Sequence, residues 1–189
     1  GQMFAGNLFA AFALESLKMP FSVLQTAAVM HAVGNVVFAR MWGFLADKYG
    51  NKPVLAILVA GLFLTPVMWL FCGPGFDPWN AVILIPGHIF SGMIWGGIVI
   101  CQLNLLLAGS PPEDRANYLA AGMTLQAAVG ALAPFLGSVL MHELRLHMAP
   151  DLAYKIVFGV AMGIRLIALW FLFAVREEGS ESIMGTLRQ

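Results

Sequence analysis

From Val54 to Phe71 the chain reads VLAILVAGLFLTPVMWLF, 18 residues without a charge and without an alternating polar partner. A stretch of that kind is written for hydrocarbon, where every backbone N–H and C=O must be paired inside the structure, so only helices or a closed barrel can cross. Barrel strands alternate apolar and polar residues, and this run does not. Roughly 20 apolar residues span a bilayer core of about 30 Å. Reading on that scale places helices near 1–17, 22–46, 53–72, 79–107, 115–141 and 152–175. The expectation is an all-α polytopic membrane bundle of six transmembrane helices. Composition agrees: the chain is 60% hydrophobic and 11% charged, with mean hydropathy +0.82, too little polar surface to cover a soluble globule.

The first run starts at Gly1, has no basic flank or cleavage signal, and is barely long enough to span. It reads as a truncated helix, and hence the chain as a piece of a longer protein. Residues 176–189 read as a solvent-borne tail. Between helices, Ser110 is expected to N-cap the fifth helix, with Pro111 at its first position and Glu113 three residues after the cap. Asp151 after Pro150 is a second expected cap, and Trp79 an interfacial anchor. Cys72 and Cys101 have no metal-site or disulfide spacing and read as small apolar residues.

Charge is concentrated in one short loop. WGFLADKYGNKPVL, Trp42 to Leu55, sets Asp47, Lys48 and Lys52 among Gly43, Gly50 and Pro53. Lysines hold an inside loop at an anionic surface, Gly50 allows a tight turn and Gly43 a close helix approach. A generic inside loop has no need of Asp47. Here the sequence resembles the major facilitator superfamily, whose signature G-x-L-a-D-[RK]-x-G-[RK]-[RK] is matched by Gly43, Leu45, Asp47, Lys48, Gly50 and Lys52, with Asn51 departing from the usual basic residue. NLLLAGSPPEDRANYLAAG, ALAPFLGSVL and GIRLIALWFLFAVREE extend the likeness along essentially the whole chain.

That resemblance implies one six-helix half, helices seven to twelve, of a twelve-helix secondary transporter with its solute site between the halves. It also implies a conformational-switch role for the loop motif, with Asp47 approaching a helix N-terminus of the opposite half when the cytoplasmic side is shut. The implied partners are the bilayer, a small solute and an N-terminal half. Nothing calls for a cofactor, metal or nucleic acid, and no G-x-x-x-x-G-K-[ST] phosphate loop occurs.

Two other classes compete. HAVGN and FSGMIWGG in a six-helix chain resemble rhomboid intramembrane proteases, but Ile89 replaces the first glycine of the G-x-S-G turn, and the runs 115–141 and 152–175 hold no histidine to activate a serine, with His142 and His147 expected in the loop between them. A non-transporting membrane protein on the same fold is the other alternative.

Polar groups inside the runs are the substrate-cavity candidates, because hydrocarbon tolerates them poorly. His31 and Asn35 share a face of the second helix; His88, Ser91 and Trp95 begin a stripe on the fourth that continues through Val99 and Gln102. Pro86-Gly87 is expected to weaken the helix just before His88. In the family the first, second, fourth and fifth helices line the cavity, which adds Asn7 and Gln126. Arg165, central in the last run, calls for a structural pairing or snorkelling rather than substrate contact, and Glu15 for a rim pairing with Lys18 or a proton-coupling role.

Loop charges orient the bundle. With the start inside, Arg40, Lys48, Lys52, Arg115, Arg176 and Arg188 face the cytoplasm against Lys18, Arg145 and Lys155 outside, which favours both ends in the cytoplasm of a plasma membrane, most simply a bacterial inner membrane. A cysteine at Lys48 or Lys52 should therefore be protected from an impermeant thiol reagent in intact cells. Labelling there with none at an Asp77 cysteine would invert the topology.

Overall fold

The computed structural model describes residues 2–73 and 78–174. Asp77, Arg176, Arg188 and the tail lie outside the described residues. The described chain is helical, in the order α1 (Gln2–Glu15), α2 (Phe21–Tyr49), α3 (Asn51–Gly61), α4 (Leu64–Leu70), α5 (Pro78–Ala108), a 3₁₀ turn (Pro112–Asp114), α6 (Arg115–His147) and α7 (Pro150–Ala174). Five stretches among the described residues are long and apolar enough to span a membrane: α2, Asn51–Leu70, α5, Pro112–His147 and α7; α1 is apolar but shorter. The chain is thus a multi-pass helical membrane protein.

Two of the expected caps are placed differently. The Ser110 hydroxyl donates back to Leu107 O at 2.7 Å, so it serves the end of α5. The next helix is entered through the 3₁₀ turn, which Pro111 precedes. Asp151 lies inside the first turn of α7, favourable against the positive helix end but not a cap. Gly50, by contrast, makes the turn expected of it, joining α2 to α3 at φ 95°, a conformation that costs a side-chain-bearing residue heavily.

The third span is the discontinuous one. α5 stays helical through Pro86, whereas the run from Asn51 breaks between α3 and α4 at Leu62–Phe63. Pro66 accounts for the break: it has no N–H to return to the Leu62 carbonyl, and restarting the helix at Leu64 puts it in a first turn, where the missing donor matters least. Three other donors converge on that carbonyl: Thr65 N at 3.2 Å, Thr65 Oγ1 at 2.7 Å and Arg165 Nη1 at 2.5 Å. Arg165, 3% exposed, thus finds in the break the structural partner its position called for, and also donates to Thr65 Oγ1 at 2.9 Å.

The most extensive helix contact is α2 against α5, and it is a contact of backbones. A Cβ at Gly34 would run into the Ile89 carbonyl, and one at Gly92 into the His31 carbonyl. Trp42 adds a lock, its Nε1–H donating to Met93 O at 2.8 Å while its ring covers Gly97. Small residues are the means by which membrane helices come this close, since lipid supplies no hydrophobic drive between them. Two apolar clusters flank the seam. One joins Phe9 and Phe12 of α1, Trp69 of α4 and Tyr154 and Phe158 of α7, with the Phe9 and Phe158 rings stacked at 4.4 Å; the other joins Leu58, Leu62, Ile94 and Ile98. α6 stands apart, burying only Gly137 and Met141 among its described side chains.

Gly34→Ala or Gly92→Ala should lower the thermal stability of the purified protein, by about 1–3 kcal/mol if the strain is that of ordinary overpacking. Gly159, by contrast, has open space around its Cβ position. Gly159→Ala should therefore leave stability unchanged or raise it by up to about 1 kcal/mol through helix propensity. Equal loss from all three would show that the glycine seam carries no special packing.

Candidate functional site

The loop motif occupies the α2–α3 corner. Asp47 is exposed in the last turn of α2, and the Lys48 ammonium lies 4.8 Å from the Tyr49 ring centre. Gly43 has open space at its Cβ position among the described residues. Asn51, the departure from the motif, has a structural use: its Oδ1 accepts a hydrogen bond from Asn104 Nδ2 of α5 at 2.9 Å, tying the corner to the neighbouring helix.

The polar candidates separate into two cavities rather than one. The first, about 420 Å³ and open on one side, is lined by α1, α2, α4 and α5 and brings together His31, His88 and Ser91 with Gln25 and Thr65. Phe9, Phe21 and Trp69 supply its aromatic surface. Its polar members arrive by different routes. His31 and Ser91 sit on the rims of the α2–α5 glycine seam, which forces both helices to present their flanks side by side. His88 is held by a hydrogen bond between its Nδ1 and Leu84 O at 2.7 Å, and its ring meets Trp69 edge-on at 5.8 Å. Thr65 and Trp69 enter because the α3–α4 break turns the outer half of the third span toward the cavity. Thr65 was missed by a reading that lined the cavity with the first, second, fourth and fifth helices.

The second cavity, about 600 Å³, lies between α5 and α6 and collects Trp95, Gln102 and Gln126 with mostly apolar neighbours. The stripe on α5 is real, but its members divide: His88 and Ser91 line the first cavity, while Trp95, Val99 and Gln102 line the second, further along the helix. Asn7 is exposed and lines neither. Asn35 also lines neither and packs against Gly96 in the seam.

Glu15 is paired, though not with Lys18. Its Oε2 accepts from Arg145 Nη2 of α6 at 2.6 Å and from the Tyr154 hydroxyl of α7 at 2.9 Å, fastening three helices at one rim. Both partners in the ion pair are nearly half exposed to solvent, so the charge term is modest and the geometric link matters more. Among the described residues no group of three or more histidine, cysteine or acidic side chains is placed to hold a metal.

These features define a polytopic membrane bundle with a solute-sized polar cavity among its helices. The profile of the Major Facilitator Superfamily matches residues 1–184, and the chain belongs to that family. Over 171 residues, 88% of this chain and 36% of the relative, it is 29% identical to the minor myo-inositol transporter IolF of Bacillus subtilis. It is 30% identical over 112 residues, 59% of this chain and 26% of the relative, to the multi-drug resistance efflux pump PmrA of Streptococcus pneumoniae. A Staphylococcus aureus protein provisionally named a proline/betaine transporter is 28% identical over 127 residues, 65% of this chain and 25% of that protein. The chain thus covers between 25% and 36% of the length of these relatives. No solved structure matches it.

The division into two cavities has a direct test. His31→Cys and Gln126→Cys, each in an otherwise cysteine-free protein, should react with a small impermeant thiol reagent from opposite faces of the membrane. Reaction of both from the same face would merge the cavities into one.

Proposed function

We propose that this chain is the C-terminal six-helix half of a secondary active transporter that moves a small solute by alternating access, with both ends cytoplasmic. The observation that carries the reading is the convergence of His31, His88 and Ser91, from two helices locked back to back, on a cavity of solute size. In a bilayer such groups are expensive unless they face one another, water or a ligand. α2 and α6 support the same reading. Val29, Val33, Val36 and Val37 of α2, and Leu125, Val129, Leu132 and Phe135 of α6, are exposed apolar flanks on which an N-terminal half would close the solute path. The relatives named for inositol and drug transport fit a carrier of small solutes, and leave its direction open.

A protease reading has less support. Ser91 shares its cavity with two histidines, yet no hydrogen bond joins it to either among the described residues, and an unactivated serine is a poor nucleophile.

In the switch, Asp47 would meet a helix N-terminus of the other half in the state closed to the cytoplasm, an interaction of about 0.3–2 kcal/mol that exists in one state only. The full-length carrier in liposomes should take up its solute against a gradient when an ion gradient is imposed, and residues 1–189 alone should not. Asp47→Asn should shift the populations about two- to thirty-fold toward inward-open and slow uptake at normal expression. Concentrative uptake by residues 1–189 alone, or unchanged uptake and cytoplasmic accessibility in Asp47→Asn, would overturn the corresponding part of the proposal.

A further inference from the structure

We infer that the cavity between α1, α2, α4 and α5 selects a neutral solute rich in hydrogen-bond donors, of the cyclic polyol or sugar class; the inference rests on the carrier reading above. Two of its walls are fixed as acceptors by groups behind them.

On α4, Thr65 has one hydroxyl hydrogen and two lone pairs. The hydrogen is given to Leu62 O at 2.7 Å, and one lone pair accepts from Arg165 Nη1 at 2.9 Å. What remains for a ligand is a lone pair. The chain of causes runs back to Pro66, which leaves the Leu62 carbonyl in need of donors, and to the guanidinium that the break admits. On α5, His88 Nδ1 faces Leu84 O at 2.7 Å. A carbonyl can only accept, so Nδ1 carries the hydrogen, and Nε2 of the neutral ring is an acceptor. With His88 neutral, two helices thus present acceptors, each oriented by the bond its group makes to a backbone carbonyl.

The other polar members, Gln25, His31 and Ser91, can turn either way and so suit a solute whose hydroxyls both give and accept. Among the described residues no aspartate, glutamate, lysine or arginine lines the cavity, so this chain's part of the wall offers a fully charged solute no counter-charge. Arg165 reaches Thr65 from behind the wall. Phe21 offers an exposed apolar ring to the C–H face of a solute ring, backed by Phe9 and Trp69, which stack on each other. The volume, about 420 Å³, falls within the roughly 300–1,000 Å³ of small-molecule sites.

Binding is measured on the purified full-length carrier by calorimetry and uptake in liposomes, with myo-inositol and D-glucose as probes. Their mono-O-methyl ethers keep the ring but lose one donor each, and glycine betaine has no donor. A polyol should bind, and methylation at the hydroxyl that meets the wall should weaken it by about tenfold or more, since it leaves a buried acceptor unmatched. Thr65→Val should reduce that discrimination to about two- to threefold, and Thr65→Ser should restore it. The comparison among ligands on the unaltered protein stands even if Thr65→Val fails to fold. Glycine betaine binding as tightly as the polyols, no effect of methylation at any position, or uptake of another solute with no polyol binding would overturn the inference while leaving the carrier reading intact. Polyol binding with the methylation penalty but no uptake would uphold the inference about the site and overturn the carrier reading.

Discussion

The contact between α2 and α5 is the constraint on which the rest depends. Two helices in lipid gain little from burying apolar side chains against each other, because hydrocarbon is as good a neighbour. They hold together by getting close, and Gly34 and Gly92 let each backbone rest on the other's carbonyl. Once that distance is set, the flanks are set too. His31 and Ser91 end at one cavity because the seam leaves them no other direction, and Trp42 closes the seam further in through Met93 O.

The second constraint is local and opposite in kind. Pro66 denies the Leu62 carbonyl its ordinary helical donor, and the bundle answers with a charged side chain from α7. A buried arginine in a membrane helix is costly by itself, and a carbonyl stripped of its helical partner is costly by itself. Each is satisfied by the other. The same exchange brings the third span's outer half to the cavity, so what begins as a missing N–H ends as a change in which helices touch the solute space.

Much of the fold could be read from the chain because length and hydropathy alone determine it. The helix end at Tyr49 lies three residues and that at Ala108 one residue past the boundaries drawn from apolar runs, whereas α6 continues to His147, six past the expected 141. The corner motif was legible because Gly50 needs a positive φ that few residues adopt. What escaped was pairwise. Pro86 and Pro66 look equally disruptive in sequence, and only tertiary packing shows that α5 absorbs one while the third span yields at the other. Glu15 has Lys18 nearest in sequence and Arg145 nearest in space, since α6 and α7 return to the same rim. The α5 stripe was read correctly as a face, but a face says nothing about how neighbouring helices partition the space in front of it.

α6 remains almost bare, though Gly137 sets it against the Phe4 carbonyl of α1. In water a surface like that would drive aggregation; in a bilayer acyl chains wet it at no penalty. Hydrophobicity therefore cannot tell this helix which surface to meet, because lipid and protein offer the same chemistry. Discrimination falls to contour: the relief of knobs such as Phe135 and Leu132 beside shallow places such as Gly130, which a fluid chain fills indifferently and a rigid helix fits in only one register. For such a surface, recognition is a matter of geometry and of the lipid entropy released when it is covered, and a substitution that changes its shape would count for more than one that changes its polarity by the same number of atoms.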